Sequence, residues 1–415
     1  MNYKISHPTK IIKGEISLTA SKSESNRVLI IKSLCQEPIK INNLALAQDT
    51  VVLKECIENA NNSKLFDIGQ AGTAMRFLTA YFSTLPGERT LTGSERMKKR
   101  PIGILVNALR SLGADIEYLE EEGYPPLKIR GKVLKGGTVE MDGGVSSQFI
   151  SALLLIAPKL QNGLVIKFKN EVVSIPYINM TLKMMQEFRV YGQWYEDSIS
   201  VSKQNYYVKH DNDYAYKIEA DWSAASYWYA IAALSDEVDL TIKGLKHESL
   251  QGDAVVANLF SFFGIKTKFI KDGIHLQKNK YCVKQFGFNF SDCPDIAQTL
   301  ATVVSLLKIP SFFNGLYTLT IKETDRLLAL KEELKKTGTH TEIISNHSIQ
   351  LTHTDMPISS VVIKTYDDHR MAMAFLPLAL KINGLIIENS TVITKSYPEF
   401  WKDLQKIGFV IEEIK

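Results

Sequence analysis

The amino-acid sequence predicts an α/β fold with two similar domains, because one structural unit recurs along its 415 residues. Two kinds of helix alternate: one is apolar on every side, as buried helices are, and the other carries Lys and Glu on one face. Most helices of the second kind precede a turn and two short strands with alternating apolar and polar residues. We count about six strand–helix–strand–helix–strand–strand units with a period of roughly 50–75 residues, which indicates duplicated architecture.

The two kinds of predicted helix can be placed along the chain. The buried helices are expected at 21–34, 72–83, 146–157, 221–234, 293–307 and 368–380. The amphipathic helices are expected at 48–60, 100–112, 176–188, 249–263, 323–336 and 398–407. A chain of this length is too long for one ordinary core, so we assign three units to each of two domains. The pattern restarts with a buried helix near residue 220, which is our choice for the boundary.

Composition and charge exclude several classes of protein. The hydrophobic fraction of 45% and charged fraction of 23% are those of a globular protein. A net charge of +4 without a basic arm does not indicate nucleic-acid binding. No apolar run approaches the roughly 20 residues of a membrane span, and no signal peptide is apparent. We therefore expect a cytoplasmic protein with neither nucleic-acid nor membrane partners. The cysteines lack zinc-site spacing and are expected to be free thiols.

Charged side chains stand at the starts of the predicted buried helices, where a bound anion would be stabilised. Lys22 and Arg27 lie at the first such start, although the helix dipole disfavours cations there. Gly72 would let a ligand approach the backbone at the second start. Asp368 and Arg370 open the last helix. Capping and solvated surface charge are the alternative explanation for each motif taken alone.

Other helix starts add hydrogen-bonding and ionisable groups. Asp295 could accept a proton from a substrate hydroxyl. The remaining candidates are Ser146, Ser147 and Gln148 before a buried helix, and Arg96, Lys322, Glu323, Arg326 and Lys395 before amphipathic ones. In contrast, Lys98, Lys99 and Arg100 are expected to be solvated. Together these groups predict a cleft between two halves that binds small polyanions and closes as they neutralise the cations. The sequence has no phosphate-binding Gly-rich motif of the kind that holds ATP or dinucleotides.

Six motifs in order make the chain similar to the enolpyruvyl transferase family, and within it to the members that act on shikimate 3-phosphate. They are Ser-Lys-Ser-x-Ser-Asn-Arg, Ala-Gly-Thr-Ala-Met-Arg, Leu-Thr-Gly-x-x-Arg-Met-x-x-Arg-Pro, Ser-Ser-Gln-Phe, Lys-Glu-Thr-Asp-Arg and Asp-His-Arg-Met-Ala-Met. The resemblance implies an inside-out α/β barrel in each domain, with the active site in the interdomain cleft. It implies domains at 1–20 plus 221–415 and at 21–220, and a monomer without metal or organic cofactor.

The resemblance also implies a reaction and its residues. The family transfers the enolpyruvyl group of phosphoenolpyruvate to the 5-hydroxyl of shikimate 3-phosphate and releases phosphate. The residues implied for shikimate 3-phosphate are Ser23, Arg27, Ser146, Ser147, Gln148, Ser174, Tyr177, Asp295 and Lys322. Those implied for phosphoenolpyruvate are Lys22, Gly72, Arg96, Gln148, Arg326, Arg370 and Lys395.

The implied chemistry is addition followed by elimination through a tetrahedral intermediate. We assign Asp295 as the base on the hydroxyl and Glu323 as the proton donor and acceptor at C3. Lys22 is assigned as a further acid/base group and phosphate clamp. Because nearby cations lower the pKa of a carboxyl, Glu323 would need burial to remain protonated.

Two alternatives remain open from the sequence. One is the sister enzyme that acts on UDP-N-acetylglucosamine, which typically has Lys-Asn in the first motif and a reactive Cys in a cleft loop. Here Ser23 follows Lys22, and the loop around Arg96 has no Cys. The other is a non-catalytic anion-binding module, against which the intact Lys22, Asp295 and Glu323 argue. The chain also departs from the family at Gln70 and Thr318, where Asn is usual.

Overall fold

The computed structural model describes residues 1–208, 215–355 and 360–414. The chain divides into two compact units, of which unit 1 comprises Met1–Ala20 and Glu219–Lys415, and unit 2 comprises Ser21–Ile218. The predicted α/β class with repeated units is confirmed. Among the described residues, no helix has the length and apolar character needed to cross a membrane.

The strands are numbered in chain order. They are β1 (Asn2–Ser6), β2 (Ile11–Ser17), β3 (Lys40–Asn42), β4 (Leu65–Asp67), β5 (Gly87–Thr92), β6 (Asp115–Tyr118), β7 (Leu127–Gly131), β8 (Gly137–Met141), β9 (Leu164–Phe168), β10 (Gly192–Trp194), β11 (Ser198–Val201), β12 (Ala215–Lys217), β13 (Glu237–Lys243), β14 (Ile265–Ile270), β15 (Gly273–Lys278), β16 (Phe286–Asn289), β17 (Ser311–Asn314), β18 (Thr339–Ser345), β19 (Ser348–His353), β20 (Val361–Ile363), β21 (Leu385–Ile387) and β22 (Val410–Ile414).

The α-helices are numbered in the same way. They are α1 (Lys22–Leu34), α2 (Gln48–Glu58), α3 (Gly72–Thr84), α4 (Glu95–Lys98), α5 (Gly103–Ser111), α6 (Ser147–Ile156), α7 (Ile175–Glu187), α8 (Trp222–Leu234), α9 (Val256–Leu259), α10 (Ala297–Leu306), α11 (Arg326–Lys335), α12 (His369–Phe375) and α13 (Phe400–Lys406). Short 3-10 turns at Pro294–Ile296, Leu319–Ile321 and Ser390–Lys395 carry residues considered below.

Five four-stranded sheets repeat one strand order. Unit 1 contains β14-β15-β13-β2, β16-β17-β19-β18 and β20-β21-β1-β22, and unit 2 contains β4-β5-β7-β6 and β10-β11-β9-β8. In each sheet, two neighbouring strands that are joined by a helical connection run parallel to each other. The other two strands lie beside them and are each antiparallel to their neighbour. The predicted βαβαββ unit is thus found five times. The sixth unit differs, because β3 and β12 form only a two-stranded parallel sheet among the described residues.

The N-terminal strands belong to unit 1, and unit 2 is inserted after them. β2 pairs in parallel with β13, although β13 and the preceding helix α8 come after unit 2 in the sequence. The departing and returning segments lie side by side, because Ala20 and Ala220 form an antiparallel bridge. The N–H of Asp221 also donates to the carbonyl of Thr19 over 2.9 Å. The insertion therefore leaves the core of unit 1 continuous.

The buried helices are confirmed, with two changes in the predicted elements. Every residue of α8 except Ser223 is buried. The helix expected at 368–380 changes to a 3-10 turn after Phe375, because Pro377 has no N–H for an α-helical hydrogen bond. The amphipathic helix expected at 249–263 is wrong, since only the four residues of α9 are α-helical there. A 3-10 turn instead places Phe260 and Phe263 on one side, where both are buried.

Glu219 joins the segments that meet at the start of α8. Its buried carboxylate accepts hydrogen bonds from Trp222 Nε1 at 2.8 Å and Ser249 Oγ at 2.7 Å. It also accepts from the N–H of Lys246 at 2.8 Å and Gln251 Nε2 at 3.2 Å. Burial raises the pKa of Glu219 although these donors oppose the shift. One side chain therefore satisfies four donors from separate positions.

We expect Glu219→Ala to lower the free energy of unfolding by roughly 3 kcal/mol, because buried donors lose their acceptor. Urea denaturation of the full chain measures this loss. The matched control is Glu248→Ala at an exposed position of the same segment, which should change stability by less than about 0.5 kcal/mol. Equal losses in both variants would contradict the role of Glu219 as an acceptor at the junction.

Candidate active site

Unit 1 gathers seven charged side chains from separate segments, which we call the unit 1 cluster. Its cations are Lys322, Arg326, Arg370 and Lys395, and its carboxylates are Asp295, Glu323 and Asp368. Each member stands at or near the end of a helix or 3-10 turn. The repeated fold brings these ends together, so residues distant in sequence become neighbours.

Arg326 lies at the centre of the unit 1 cluster with 2% of its side chain exposed. Its Nε donates to Asp368 Oδ2 over 2.7 Å, and Nη1 donates to Asp295 Oδ1 over 3.1 Å. Nη2 donates to Glu323 Oε2 over 3.0 Å. Burial opposes the charge of Arg326, but Asp368, Glu323 and Asp295 raise its pKa above the ordinary value. Arg326 therefore stays cationic and fixes three carboxylates.

Asp295 is shared between cations from three directions. Arg370 Nη2 donates to its Oδ2 over 2.9 Å, and Lys322 Nζ lies 3.7 Å from its Oδ1. Burial raises the pKa of Asp295, but Arg370, Lys322 and Arg326 outweigh burial and hold that pKa well below its usual range. Asp295 is therefore held as a carboxylate by its cationic neighbours.

Glu323 connects a second cation to the same cluster. Lys395 Nζ donates to Glu323 Oε1 over 2.8 Å, while the other carboxylate oxygen faces Arg326. Only 6% of the Lys395 side chain and 13% of the Glu323 side chain are exposed. Burial lowers the pKa of neighbouring Lys322, with Asp295 opposing the shift.

A strained turn presents Asp368 and Arg370. Tyr366 and Asp367 both have φ of +54°, which is uncommon for residues other than glycine. The turn is held by hydrogen bonds from Tyr366 Oη to Glu333 Oε1 at 2.8 Å and from Asn389 Nδ2 to Asp367 Oδ1 at 2.7 Å. Asp368 then caps α12, because its side chain accepts from the N–H of Arg370.

The cations of unit 1 are compensated by carboxylates within the unit. Each of the four cations has at least one carboxylate oxygen within 4.0 Å. The expectation of uncompensated cations that repel one another is therefore wrong for this unit. An arriving anion must instead compete with Asp295 and Glu323 for the same donors.

Unit 2 brings together the starts of α1, α6 and α7. Arg27 is buried, and Nε donates to Thr181 Oγ1 over 2.8 Å. Its Nη2 donates to Ser151 Oγ and the carbonyl of Tyr177, and its Nη1 donates to the carbonyl of Ser23. These bonds occupy four of the five N–H groups of an arginine. Burial lowers the pKa of Arg27 to about 10, so it remains charged at neutral pH.

The other predicted residues of unit 2 lie at helix starts. Lys22 Nζ donates to buried Asp49 Oδ2 over 3.3 Å. Ser146 caps α6 by accepting from the N–H of Gln148. Ser174 precedes α7 with a φ of +56°, and Arg96 lies exposed on the short α4. Ser147 is buried, and Tyr177 is partly buried in the first turn of α7.

Arg100 corrects one prediction, because it is 9% exposed rather than solvated. Its guanidinium packs on Gly72 at the start of α3, where a Cβ would lie 2.7 Å from Arg100 Nη1. Its buried Nε has no hydrogen-bond partner. Lys98 pairs with Glu95 and Glu120, whereas Lys99 is exposed as predicted. The Arg-Pro pair that ends the third motif was the only sequence signal at Arg100.

Sequence reasoning also missed partners that hold the predicted residues. Asp49 faces Lys22, and the hydroxyl of Tyr227 on α8 lies 3.4 Å from Arg370 Nη1. The buried hydroxyl of Thr318 has no hydrogen-bond partner, and Gln70 is exposed. In the described ranges no group of three or more His, Cys, Asp or Glu side chains could hold a metal ion. All four cysteines are free.

The fold is shared with solved enolpyruvyl transferases. An EPSP synthase from Acinetobacter baumannii matches with a TM-score of 0.79 at 19% identity, covering 99% of this chain and 100% of that one. The enolpyruvyl transferase NikO from Streptomyces tendae matches with a TM-score of 0.75 at 14% identity, covering 99% of this chain and 98% of that one. The architecture is therefore that of the enolpyruvyl transferases.

Sequence comparison identifies the family within that class. A family model described as EPSP synthase (3-phosphoshikimate 1-carboxyvinyltransferase) matches residues 51–404. A 3-phosphoshikimate 1-carboxyvinyltransferase from Bacteroides fragilis (strain YCH46) is 47% identical over 418 residues, covering 99% of each chain. One from Vibrio atlanticus (strain LGP32) is 36% identical, covering 97% of this chain and 98% of its own. The chain belongs to the EPSP synthase (3-phosphoshikimate 1-carboxyvinyltransferase) family.

We expect Arg326→Met to lower the free energy of unfolding by about 3–5 kcal/mol, because three buried carboxylates lose their shared cation. Denaturant titration followed by fluorescence measures the change. Lys402→Met is the control, since Lys402 and its partner Glu399 are 70% and 52% exposed. That pair should contribute less than about 1 kcal/mol. Comparable losses in the two variants would show that Arg326 is not the buried counter-ion described above.

Proposed function

We propose that this protein transfers the enolpyruvyl group of phosphoenolpyruvate to the 5-hydroxyl of shikimate 3-phosphate and releases phosphate. The observation that carries the proposal is Asp295 held between Arg370, Arg326 and Lys322. A carboxylate among convergent cations can accept a hydroxyl proton while the cations bind the anionic partner. Membership of the EPSP synthase family supports this assignment.

Phosphoenolpyruvate carries a phosphate and a carboxylate, which suit forked and point-charge donors. In unit 1 we assign these groups to Arg326, Arg370 and Lys395. In unit 2 we assign them to Lys22, Gly72, Arg96 and Gln148. Arg370 and Lys395 donate to carboxylates in the substrate-free protein, so substrate anions replace existing partners.

Shikimate 3-phosphate carries hydroxyls, a carboxylate and a phosphate, so it needs polar side chains as well as cations. The assigned residues are Ser23, Arg27, Ser146, Ser147, Gln148, Ser174, Tyr177, Asp295 and Lys322. The start of α6 offers uncharged hydrogen-bonding groups, and Arg27 fixes the adjoining starts of α1 and α7. These contacts would hold the substrate in unit 2, and Asp295 is the residue we assign to its 5-hydroxyl.

The proposed reaction proceeds by addition and elimination. Asp295 takes the 5-hydroxyl proton as the oxygen bonds to C2 of phosphoenolpyruvate. C3 gains a proton from Glu323, which first takes up a proton from solvent once the substrate anions replace it as the partner of Lys395. The tetrahedral intermediate then loses phosphate from C2 and a C3 proton to Glu323, which restores the double bond. Lys22 would neutralise the departing phosphate. Engagement of Arg370 by the substrate removes a cation from Asp295, which raises the pKa of Asp295 and makes it a stronger base.

We also propose where the protein acts, in what oligomeric state and with which cofactors. The resemblance supports action in the cytoplasm as a monomer, without metal or organic cofactor. Sedimentation velocity with and without both substrates tests the monomer. A sedimenting mass twice that of one chain under either condition would contradict it.

Phosphate release provides the first test of the function. Phosphoenolpyruvate is mixed with the protein and either shikimate 3-phosphate or UDP-N-acetylglucosamine, and inorganic phosphate is followed by a coupled assay. We expect release only with shikimate 3-phosphate. Release with the nucleotide sugar would assign the sister activity, and tight phosphoenolpyruvate binding without release would indicate an anion-binding module.

Single substitutions test the assigned proton transfers. We expect Asp295→Ala and Glu323→Gln each to lower kcat by about 10²–10⁴-fold, the usual cost of removing a positioned acid or base. The control is Asp403→Asn, because buried Asp403 bonds to Tyr397 and Lys406 instead of the unit 1 cluster. Wild-type kcat in Asp295→Ala or Glu323→Gln would refute the corresponding role.

A further inference from the structure

A buried carboxyl that the proposed reaction does not use lies beside the unit 1 cluster. Asp253 belongs to the 3-10 turn Gly252–Val255 and is 2% exposed. The turn forms part of the segment in which the expected amphipathic helix was not found. No motif in the sequence drew attention to this residue.

Ser223 connects Asp253 to the cluster. It is the one residue of α8 that is not buried, and its hydroxyl donates a hydrogen bond to Asp253 Oδ2. Its oxygen then faces Arg370 Nη2 at 3.5 Å. The same nitrogen of Arg370 donates to Asp295 Oδ2 over 2.9 Å. Asp253, Ser223, Arg370 and Asp295 thus form a continuous chain of polar contacts.

The direction of these hydrogen bonds matters for Arg370. While Asp253 accepts the hydroxyl proton of Ser223, the lone pairs of the Ser223 oxygen are available to the guanidinium. Arg370 also donates to Asp295 Oδ2 at 2.9 Å, to the carbonyl of Asp295 at 3.2 Å and to Tyr227 Oη at 3.4 Å. Without the Ser223 oxygen, Nη2 would keep Asp295 as an acceptor but lose one of the contacts that fix the rotation of the guanidinium.

We propose that Asp253 is a positioning residue for this reaction, which acts through Ser223 to orient Arg370 toward its anionic partners. The inference rests on the proposed function, because Arg370 is assigned there to phosphoenolpyruvate. Asp253 contacts neither reacting atom, so its effect is on the binding and alignment of substrate.

The surroundings of Asp253 make this role sensitive to pH. The charged and titratable groups that face it are Asp221, Asp295, Arg370 and the thiol of Cys293, together with the hydroxyl of Ser223. Burial raises the pKa of Asp253 to about 6, with Asp295 adding to the shift and Arg370 and Ser223 opposing it. As the pH falls through that value, the Asp253 carboxylate gains a proton and loses its charge. Its hydrogen bond from the Ser223 hydroxyl is then weakened. The alignment of Arg370 should therefore be present above about pH 6 and lost below it.

The simpler explanation is that Asp253 only ties its turn to α8. A purely structural tie would affect the enzyme equally at every pH at which it stays folded. The two explanations therefore differ in the pH profile of kcat/KM for phosphoenolpyruvate.

The test compares wild type, Asp253→Asn and Ser223→Ala between pH 5 and 9, with Asp403→Asn as a buried-carboxyl control. Wild-type kcat/KM should fall as pH decreases through about 6. At pH 8, Asp253→Asn and Ser223→Ala should be roughly 2- to 10-fold lower through KM, as expected when a long hydrogen bond is lost. Both variants should approach wild type at pH 5, where the wild-type carboxyl is already protonated. The control should follow the wild-type profile.

A constant ratio of wild type to Asp253→Asn at every pH would overturn the proposal and leave a structural tie. If Asp253→Asn does not fold, Ser223→Ala alone decides between the two explanations. It retains the Asp253 carboxyl and removes only the hydroxyl that links it to Arg370. The ¹³C carboxyl resonance of Asp253 in the substrate-free protein gives a readout independent of turnover. A titration midpoint below about 4, the value of an ordinary Asp, would leave Asp253 anionic throughout the assayed range and would overturn the pH dependence of its role. A wild-type protein without phosphate release would instead mean that the proposed function fails.

Discussion

Arg326 is a buried cation shared by three carboxylates, and the geometry of the unit 1 cluster depends on it. Its partners come from the turn before α10, the segment before α11 and the N-cap of α12. Burying any one of these charges alone would be strongly unfavourable, and their mutual attraction compensates only if the hydrogen bonds are well made. The repeated fold satisfies this condition because it brings the starts of buried helices and of amphipathic α11 to one place.

Charge compensation also relates the resting protein to its chemistry. Asp295 has a low pKa because cations surround it, and a carboxylate with a low pKa is a weak base. Anionic substrates that engage Arg370 and Lys395 would weaken this stabilisation. As the proposed base, Asp295 would therefore gain strength as its substrates bind.

The sequence allowed much of this arrangement to be predicted, because hydrophobic periodicity and helix-start motifs are local. The buried helices, the repeated unit and the residues of the unit 1 cluster all follow from such patterns. Arg100 was misjudged because a charged residue before Pro101 resembles a solvated turn, and only the fold brings it against Gly72. Asp253 was missed for a related reason, since its link to Ser223 joins positions 30 residues apart. The pairing of carboxylates with cations is likewise a tertiary property.

The insertion of unit 2 into unit 1 imposes an order on assembly during synthesis. Unit 2 is a continuous segment, Ser21–Ile218, so all its residues are synthesised before α8. β1 and β2 are synthesised before unit 2, yet β1 pairs with β21 and β22, and β2 pairs with β13. These two strands must remain without their native partners while unit 2 folds, with their edges open to incorrect pairing. Two strands made before unit 2 are thus paired only after unit 2 is complete.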